Sequence, residues 1–210
     1  MANSYTRSDT ALLLVDPYND FLSEGGKLYP HIKEVADKVN LHDNLRQIVS
    51  LCRSVGITIF FVPHRRWRAE RYEGWVNYAP TQERSRDLKL FADGEWGGEF
   101  HPDFQPQDGD VIVQEHWAQS GFANTDLDML LKKRGAGKIV IVGMRVNTCI
   151  DSTARFGMEL GYNVSLITDA TAGFSWAEME ASHHVNAPTF AHAIMSTADF
   201  MTAVQSASAV

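Results

Sequence analysis

A cysteine at the start of a helical segment is the residue of this chain best suited to nucleophilic chemistry. Cys149 follows an apolar run, 138–143, with the pattern of a buried parallel strand, and a helical pattern continues to Leu160. A thiol in the first helical turn lies at the positive end of the helix dipole, which lowers its pKa and favours the thiolate. The position therefore predicts a nucleophile for a carbonyl carbon. The competing interpretation is a small buried apolar residue, which is what most free cysteines are.

Polar side chains also end two other predicted strands. Asp16 ends the first apolar run of the chain, and Glu115 and His116 end the third. Ligands of open parallel sheets collect at the carboxyl ends of the strands, so we expect these positions to converge with Cys149 on one crevice. Taken singly, each of these polar residues could equally be a helix cap or a turn former.

The elements that must position these residues alternate along the chain. Predicted strands cover 11–15, 57–62, 111–113, 139–142, 164–167 and 193–195, and predicted helices cover 33–55 with a break near 41–43, 126–134, 148–160 and 177–185. Continuous apolar strands separated by helices indicate a three-layer α/β/α architecture with a six-stranded, mostly parallel, Rossmann-like sheet. A length of 210 residues suits one domain spanning 1–210.

One long segment, 64–110, departs from this alternation. It is rich in Arg, Trp, Gly and Pro and weak in periodicity. Long connections without clear elements are usually functional loops or lids. Its aromatic residues, among them Trp67, Trp75 and Trp96, could close over a substrate or cover a subunit interface, and the sequence favours neither.

Composition narrows the class of function. A net charge of −7 with no basic block argues against a nucleic-acid or anionic-membrane partner. Two cysteines are too few for a disulfide framework, no apolar signal core is present near Met1, and no stretch approaches the roughly 18 apolar residues that span a bilayer. We therefore expect a cytoplasmic protein that acts on a small molecule.

Several common catalytic motifs are absent from the sequence. No G-x-G-x-x-G follows the first strand, and neither a phosphate-binding G-x-x-x-x-G-K-[ST] nor a serine-hydrolase G-x-S-x-G occurs. Nucleotide-binding and serine-hydrolase interpretations are therefore weak.

The remaining motifs resemble those of the isochorismatase-like cysteine hydrolases. The resemblance rests on segments spread over most of the chain, namely 12–21, 120–127, 142–154, 161–164 and 169–171. It implies an isochorismatase-type fold with a six-stranded parallel sheet and a catalytic triad of Asp, Lys and Cys. It does not fix the substrate.

The triad that the resemblance implies is incomplete in this chain. Asp16 and Cys149 match, but the lysine position does not hold a lysine. Counting along the third strand puts Glu115 there, whereas counting back from Phe122 puts His116 there. Glu115 is favoured because loops absorb insertions more readily than strands. The predicted catalytic residues are thus Asp16, Glu115 and Cys149, with the two carboxyl groups sharing a proton.

The resemblance also implies a cis peptide bond between Met144 and Arg145. The backbone N–H groups of Arg145 and Cys149 would then form an oxyanion hole, in which one donor can contribute roughly 2.7–4 kcal/mol of transition-state stabilisation. The Arg145 side chain would bind a substrate carboxylate or form a salt bridge.

The sequence thus predicts hydrolysis of a C–N bond in a small amide, ureide or lactam through a thioester. Predicted substrate-binding residues are Tyr18, Phe21, His116, Trp117 and Arg145. Hydrolysis of a vinyl ether, as in isochorismatases, and a non-catalytic member that binds a metabolite or a partner protein remain alternatives. The resemblance also implies that the protein forms a homo-oligomer.

No cofactor or metal is expected. Zinc-dependent relatives carry a D-x-H motif after the second strand, and no aspartate stands two residues before His64. His183 and His184 are adjacent in a predicted helix and point to different faces, so we expect a structural role for them.

Overall fold

A central parallel sheet organises the protein. The computed structural model describes residues 4–208. Its strands are β1 (Thr10–Val15), β2 (Thr58–Val62), β3 (Val111–Ile112), β4 (Lys138–Met144), β5 (Asn163–Ala172) and β6 (Ala193–Met195). They pair in the order β3-β2-β1-β4-β5-β6, all in parallel. Strands β2 and β3 lie on one side of β1, and β4 to β6 lie on its other side. The strand order therefore reverses between β1 and β4, which is where such sheets bind ligands.

Helices cover both faces of this sheet. They are α1 (Asn19–Leu22), α2 (Tyr29–Lys38), α3 (Leu41–Val55), α4 (Pro80–Asp87), α5 (Leu127–Lys133), α6 (Asp151–Glu159), α7 (Trp176–Glu180) and α8 (Thr197–Ser208). Leu12 and Leu14 of β1 pack in a core with side chains from α2, α3 and α8, whereas Leu13 and Val15 pack in a second core with α5 and α6. Side chains alternate across a strand, so one apolar strand supplies both cores.

The predicted fold class is confirmed. All six predicted strands form, and the predicted first helix is divided into α2 and α3, with Gly56 ending α3 at a positive φ of 78°. No described helix has the length and apolar content needed to cross a bilayer.

Three local features differ from the sequence-based prediction. The segment 64–110 is not devoid of structure, because it contains α4 and several short 3₁₀ turns. The helix expected from residue 148 begins instead as a π-helical turn, Val146–Ile150, that continues into α6. A second π-helical turn, Ala181–Asn186, follows α7. Such π turns are frequent at functional sites.

Close packing of β1 against β4 depends on one glycine. Gly143 has φ 109°, and a Cβ atom there would lie 2.2 Å from the Val15 carbonyl oxygen. Only glycine permits both that backbone conformation and that approach. The ends of β1 and β4 therefore lie side by side, immediately before Asp16 and the segment that leads to Cys149.

Candidate active site

The carboxyl ends of three strands bring together an aspartate, a histidine and a cysteine. His116 Nε2 lies 3.1 Å from Asp16 Oδ1, and both side chains are buried. A donor atom of each of these two residues and Cys149 Sγ all lie within 4.8 Å of one another. Asp16 has φ 52°, in the left-handed region, a conformation that recurs at functional sites. Among the described residues, this is also the group whose atoms lie close enough to share a metal ion.

His116, and not Glu115, lies beside Asp16, which corrects the sequence-based expectation. The N–H of Val113 donates to Phe61 O, and the N–H of His116 donates to Pro63 O. Three residues on one strand therefore advance against two on its neighbour, as in a β-bulge. The extra residue lies between Val113 and His116, after β3 and before the isolated bridge of His116 to His64. It reverses the alternation of side chains and turns residue 116 inward.

Glu115 lies instead in a cluster of arginines. Arg66 Nη1 donates to Glu115 Oε1 at 2.6 Å, and Arg71 Nη1 donates to Oε2 at 3.1 Å. Arg65 is a third cation, with Nε 3.8 Å from Oε2. These contacts fasten the start of the 64–110 segment to the end of β3, and they compensate the carboxylate charge without involving Asp16.

Cys149 sits in the π-helical turn with its sulfur almost enclosed. Its Sγ lies 3.9 Å from Ala118 O and from Thr148 Oγ1. Burial raises the pKa of the Cys149 thiol well above its ordinary value, and the charge and hydrogen bonding of Asp16 raise it further. The thiol is therefore neutral in this structure, contrary to the expected depression by a helix dipole. A π turn in a buried setting, rather than the first turn of an α-helix, holds the sulfur.

His64 is a further histidine of the site that the sequence analysis considered only as a metal ligand. Its ring lies 5.1 Å from the His116 ring. His64 Nδ1 lies 2.9 Å from Arg65 O, a contact in which the ring nitrogen must donate because a carbonyl only accepts. Burial, reinforced by His116, lowers the pKa of His64 to about 4. His64 is thus a neutral imidazole, and its position directly after β2, at the same sheet edge as Asp16, was the available signal.

A cavity of about 250 Å³ gives access to these groups. Asp16, His64 and Cys149 border it together with two arginines, Arg84 and Arg145. Its apolar wall is formed by side chains that are distant in sequence, namely Phe21, Leu28, Leu90, Phe91 and Phe174. Apolar walls with a few convergent polar groups are typical of small-molecule sites.

Comparison with known proteins identifies the family. The isochorismatase domain model matches residues 10–199. The ureidoacrylate amidohydrolase RutB of Pantoea ananatis is 31% identical over 216 residues, covering 97% of this chain and 85% of that protein. The chain belongs to the isochorismatase family.

Further matches in this family agree. RutB of Serratia proteamaculans is 30% identical and covers 88% of this chain and 79% of that protein. The crystal structure of a cysteine hydrolase from Pseudomonas syringae pv. phaseolicola superposes with a TM-score of 0.82 at 25% identity, covering 98% of this chain and 96% of the other. The predicted enzyme class, a hydrolase of the isochorismatase-like family, is confirmed.

The backbone before the cysteine has the geometry that the isochorismatase resemblance implies. The Met144–Arg145 peptide bond is cis. The N–H of Ile150 and the N–H of Thr148 both donate to Arg145 O, the carbonyl of the peptide that follows the cis bond.

The predicted substrate-binding residues divide into two groups. Phe21 and Arg145 border the cavity, whereas His116, which is fully buried against Asp16, does not. Tyr18 does not; it is fully buried, stacks on Phe91 and Phe100, and donates its hydroxyl to His64 O. Tyr18 therefore supports the cavity wall from behind and does not face the cavity itself.

Trp117 also lies outside the cavity. Its ring lies 5.1 Å from the Trp75 ring and 4.3 Å from the Arg65 guanidinium. The 64–110 segment nevertheless borders the cavity, through residues of α4 and through Leu90 and Phe91 rather than through the tryptophans.

Proposed function

We propose that this protein hydrolyses a C–N bond of a small amide, ureide or lactam, with Cys149 as nucleophile, Asp16 as proton carrier and His116 as the residue that orients Asp16. The contact that carries the proposal is the 3.1 Å pair of His116 Nε2 and Asp16 Oδ1, next to Cys149 Sγ, with Asp16 and Cys149 bordering a cavity. A nucleophile, a base and a third group that orients the base form the arrangement that covalent catalysis requires.

The first half-reaction forms a thioester. Asp16 accepts the thiol proton of Cys149 as the sulfur bonds to the substrate carbonyl carbon, and the π electron pair of the carbonyl moves to its oxygen. The raised pKa of Cys149 favours proton transfer during the attack over a stored thiolate. Collapse of the intermediate breaks the C–N bond, and Asp16 gives the proton to the leaving nitrogen.

The second half-reaction releases the acid product. Asp16 accepts a proton from water as the water oxygen attacks the thioester carbon. Collapse breaks the C–S bond, and the proton returns from Asp16 to the sulfur. The enzyme ends in its initial protonation state, so the cycle balances without a cofactor.

His116 takes the position where the resemblance implies a lysine. Its Nε2–H donates to Asp16 Oδ1, which leaves Asp16 Oδ2, an oxygen with no hydrogen-bond partner among the described residues, to exchange the proton. The backbone N–H groups of Arg145 and Cys149 are the proposed oxyanion hole.

We also propose that the protein is a cytoplasmic homo-oligomer. Two free cysteines suit a reducing compartment. Large apolar side chains at Val76 and Val185, 87% and 69% exposed, suit burial against a second copy. Light scattering coupled to size exclusion measures the mass in solution, and a monomer at all concentrations would contradict the oligomer.

The test of the activity is ammonia release from a panel of small primary amides and ureides, with ring opening of lactams followed by mass spectrometry. Cys149→Ala should abolish turnover of any substrate found, and acid quenching should trap a thioester adduct on Cys149 that mass spectrometry detects. A matched control is Cys52→Ala, which removes the other thiol, buried away from the cavity. Undiminished turnover by Cys149→Ala, or activity confined to vinyl ethers, would exclude the thioester route.

A further inference from the structure

Two arginines from distant parts of the sequence border the same cavity as the thiol. Arg145 lies in the turn before Cys149, and Arg84 lies on α4, within the 64–110 segment. Their charges are close enough to interact: burial lowers the pKa of Arg145, Glu178 and Cys149 raise it, and Arg84 lowers it. Two like charges facing one cavity repel each other unless an anion lies between them.

Arg145 is held rigidly. Its Nε donates to Asn147 Oδ1 at 2.9 Å, and its guanidinium lies 4.0 Å from the centre of the Phe174 ring. Glu178 is its ion-pair partner, at 3.6 Å, and that carboxylate also accepts the N–H of Phe174 at 2.6 Å. Arg145 therefore presents a guanidinium in a fixed orientation, which reduces the conformational entropy lost when it binds a ligand.

Arg84 is exposed and differs from its helix neighbour. No side-chain hydrogen bond or ion pair of Arg84 occurs among the described residues, whereas Arg86 on the same helix pairs with Asp87. Arg84 borders the cavity and Arg86 does not. Its charge is available to a ligand that enters.

Among the described residues, the cavity lining supplies no ion-pair partner for Arg84. Among the described residues that border it, Asp16 is the acidic one, and Asp16 is engaged by His116. His64 adds no charge near neutral pH. Because Arg145 pairs with Glu178, the uncompensated positive charge at this side of the cavity is that of Arg84.

We propose that Arg84 and Arg145 together bind a carboxylate of the substrate, so that the enzyme acts on short amido or ureido acids rather than on neutral amides. The inference rests on the proposed function, because it takes the cavity at Cys149 as the substrate site. A volume of about 250 Å³ corresponds to about eight water molecules at roughly 30 Å³ each, which suits a short acid. Guanidinium groups bind carboxylates with two parallel hydrogen bonds.

The test uses two nearly isosteric alkylating agents that differ in charge, iodoacetate and iodoacetamide. In both reactions the sulfur of Cys149 displaces iodide from carbon. Both rates depend equally on the thiolate fraction of Cys149, so their ratio in one protein is independent of it. The ratio therefore measures how strongly the cavity favours a carboxylate over a neutral amide. We expect Arg84→Gln and Arg145→Gln each to lower the iodoacetate-to-iodoacetamide ratio at least about threefold, and 0.5 M salt to lower it in the wild type.

The matched control is Arg86→Gln, the same substitution on the same helix but outside the cavity. It should keep the wild-type ratio. Arg145→Lys keeps the charge and should restore most of the ratio, which separates charge from a packing defect at Arg145. An unchanged ratio in either glutamine variant at positions 84 and 145 would overturn the paired site.

A second experiment, which compares two substrates, tests this inference separately from the proposed function. Succinamate and butyramide share a primary amide and differ in the distal carboxylate. Preference for succinamate in kcat/KM that is lost through KM in Arg84→Gln supports the inference. Equal turnover of both compounds overturns it while leaving the cysteine hydrolase intact. Turnover of neither by the wild type counts against the proposed function, and the alkylation ratio still decides the anion site.

Discussion

His116 Nε2 and Asp16 Oδ1 lie 3.1 Å apart in a fully buried contact, with an extra residue just after β3 turning the imidazole inward. This pair gives the site a histidine where the family resemblance implies a lysine. The pair also leaves His116 Nδ1 without a hydrogen-bond partner among the described residues. Both members belong to the proposed proton-transfer site, so replacement of either should impair catalysis.

Removing the imidazole should impair proton transfer. We expect His116→Ala to lower kcat/KM by about 100-fold or more, the scale of a general acid–base contribution, because Asp16 loses the donor that orients it. Steady-state kinetics on the best amide of the panel measure this. His116→Lys, which supplies a cationic donor, should retain more activity than the alanine variant. His184→Ala, at an exposed histidine, is the control. Wild-type activity in His116→Ala would refute the role of the pair.

Glu115→Gln should affect stability more than turnover. The substitution leaves Arg66 and Arg71 without a full carboxylate partner. Loss of charge-assisted hydrogen bonds in this partly buried cluster should lower the free energy of unfolding by about 1–3 kcal/mol. Urea denaturation measures that loss, and kcat/KM should stay within a few-fold of the wild type. A large fall in kcat/KM with unchanged stability would return Glu115 to the catalytic group.

Alkylation of Cys149 should accelerate steeply with pH. Because the pKa of the thiol is raised, the thiolate is scarce near neutral pH, and its fraction increases about tenfold for each pH unit below that pKa. The iodoacetamide rate at pH 7, 8 and 9 gives the slope. Burial raises the pKa of Cys52 to about 12, so it should stay unmodified, and Cys52→Ala confirms the assignment. A rate that is constant from pH 7 upward would show an ionised resting thiol.

Acid should destabilise the fold through two buried histidines. The pKa values of His64 and His183 are each lowered to about 4, mainly by burial, from about 6.5 in the unfolded chain. Between these values the unfolded state binds more protons. The free energy of unfolding therefore falls as the pH falls from about 6.5 to about 4, by up to about 3 kcal/mol per histidine.

Urea denaturation at pH 7, 5.5 and 4.5 measures this decline. His183→Gln, which can keep the hydrogen bond to Thr171, should flatten it. His184→Gln, at the exposed neighbour in the same π turn, should leave the slope as it is in the wild type. Equal slopes in all three proteins would remove His183 from the explanation.

Much of the fold followed from the sequence for local reasons. The continuous apolar runs of β1, β2 and β4 predict strands that are buried on both faces. Gly56 ends α3 in the left-handed backbone conformation, which glycine adopts without strain. The placement of Asp16 and Cys149 at one edge of the sheet followed from the parallel arrangement. The cysteine's protonation state did not, because it depends on burial by residues far away in sequence.

The amino-acid sequence alone determined the α/β architecture, the family and the two residues, Asp16 and Cys149, that adjoining strands deliver to one crevice. The tertiary structure decided between Glu115 and His116, since one extra residue just after β3 reverses the side-chain alternation. Backbone hydrogen bonding to the neighbouring chain segment, not residue type, sets that register. It also decided that Arg84 joins Arg145 at the cavity, because the path of the 64–110 segment depends on packing and ion pairs that no local pattern encodes.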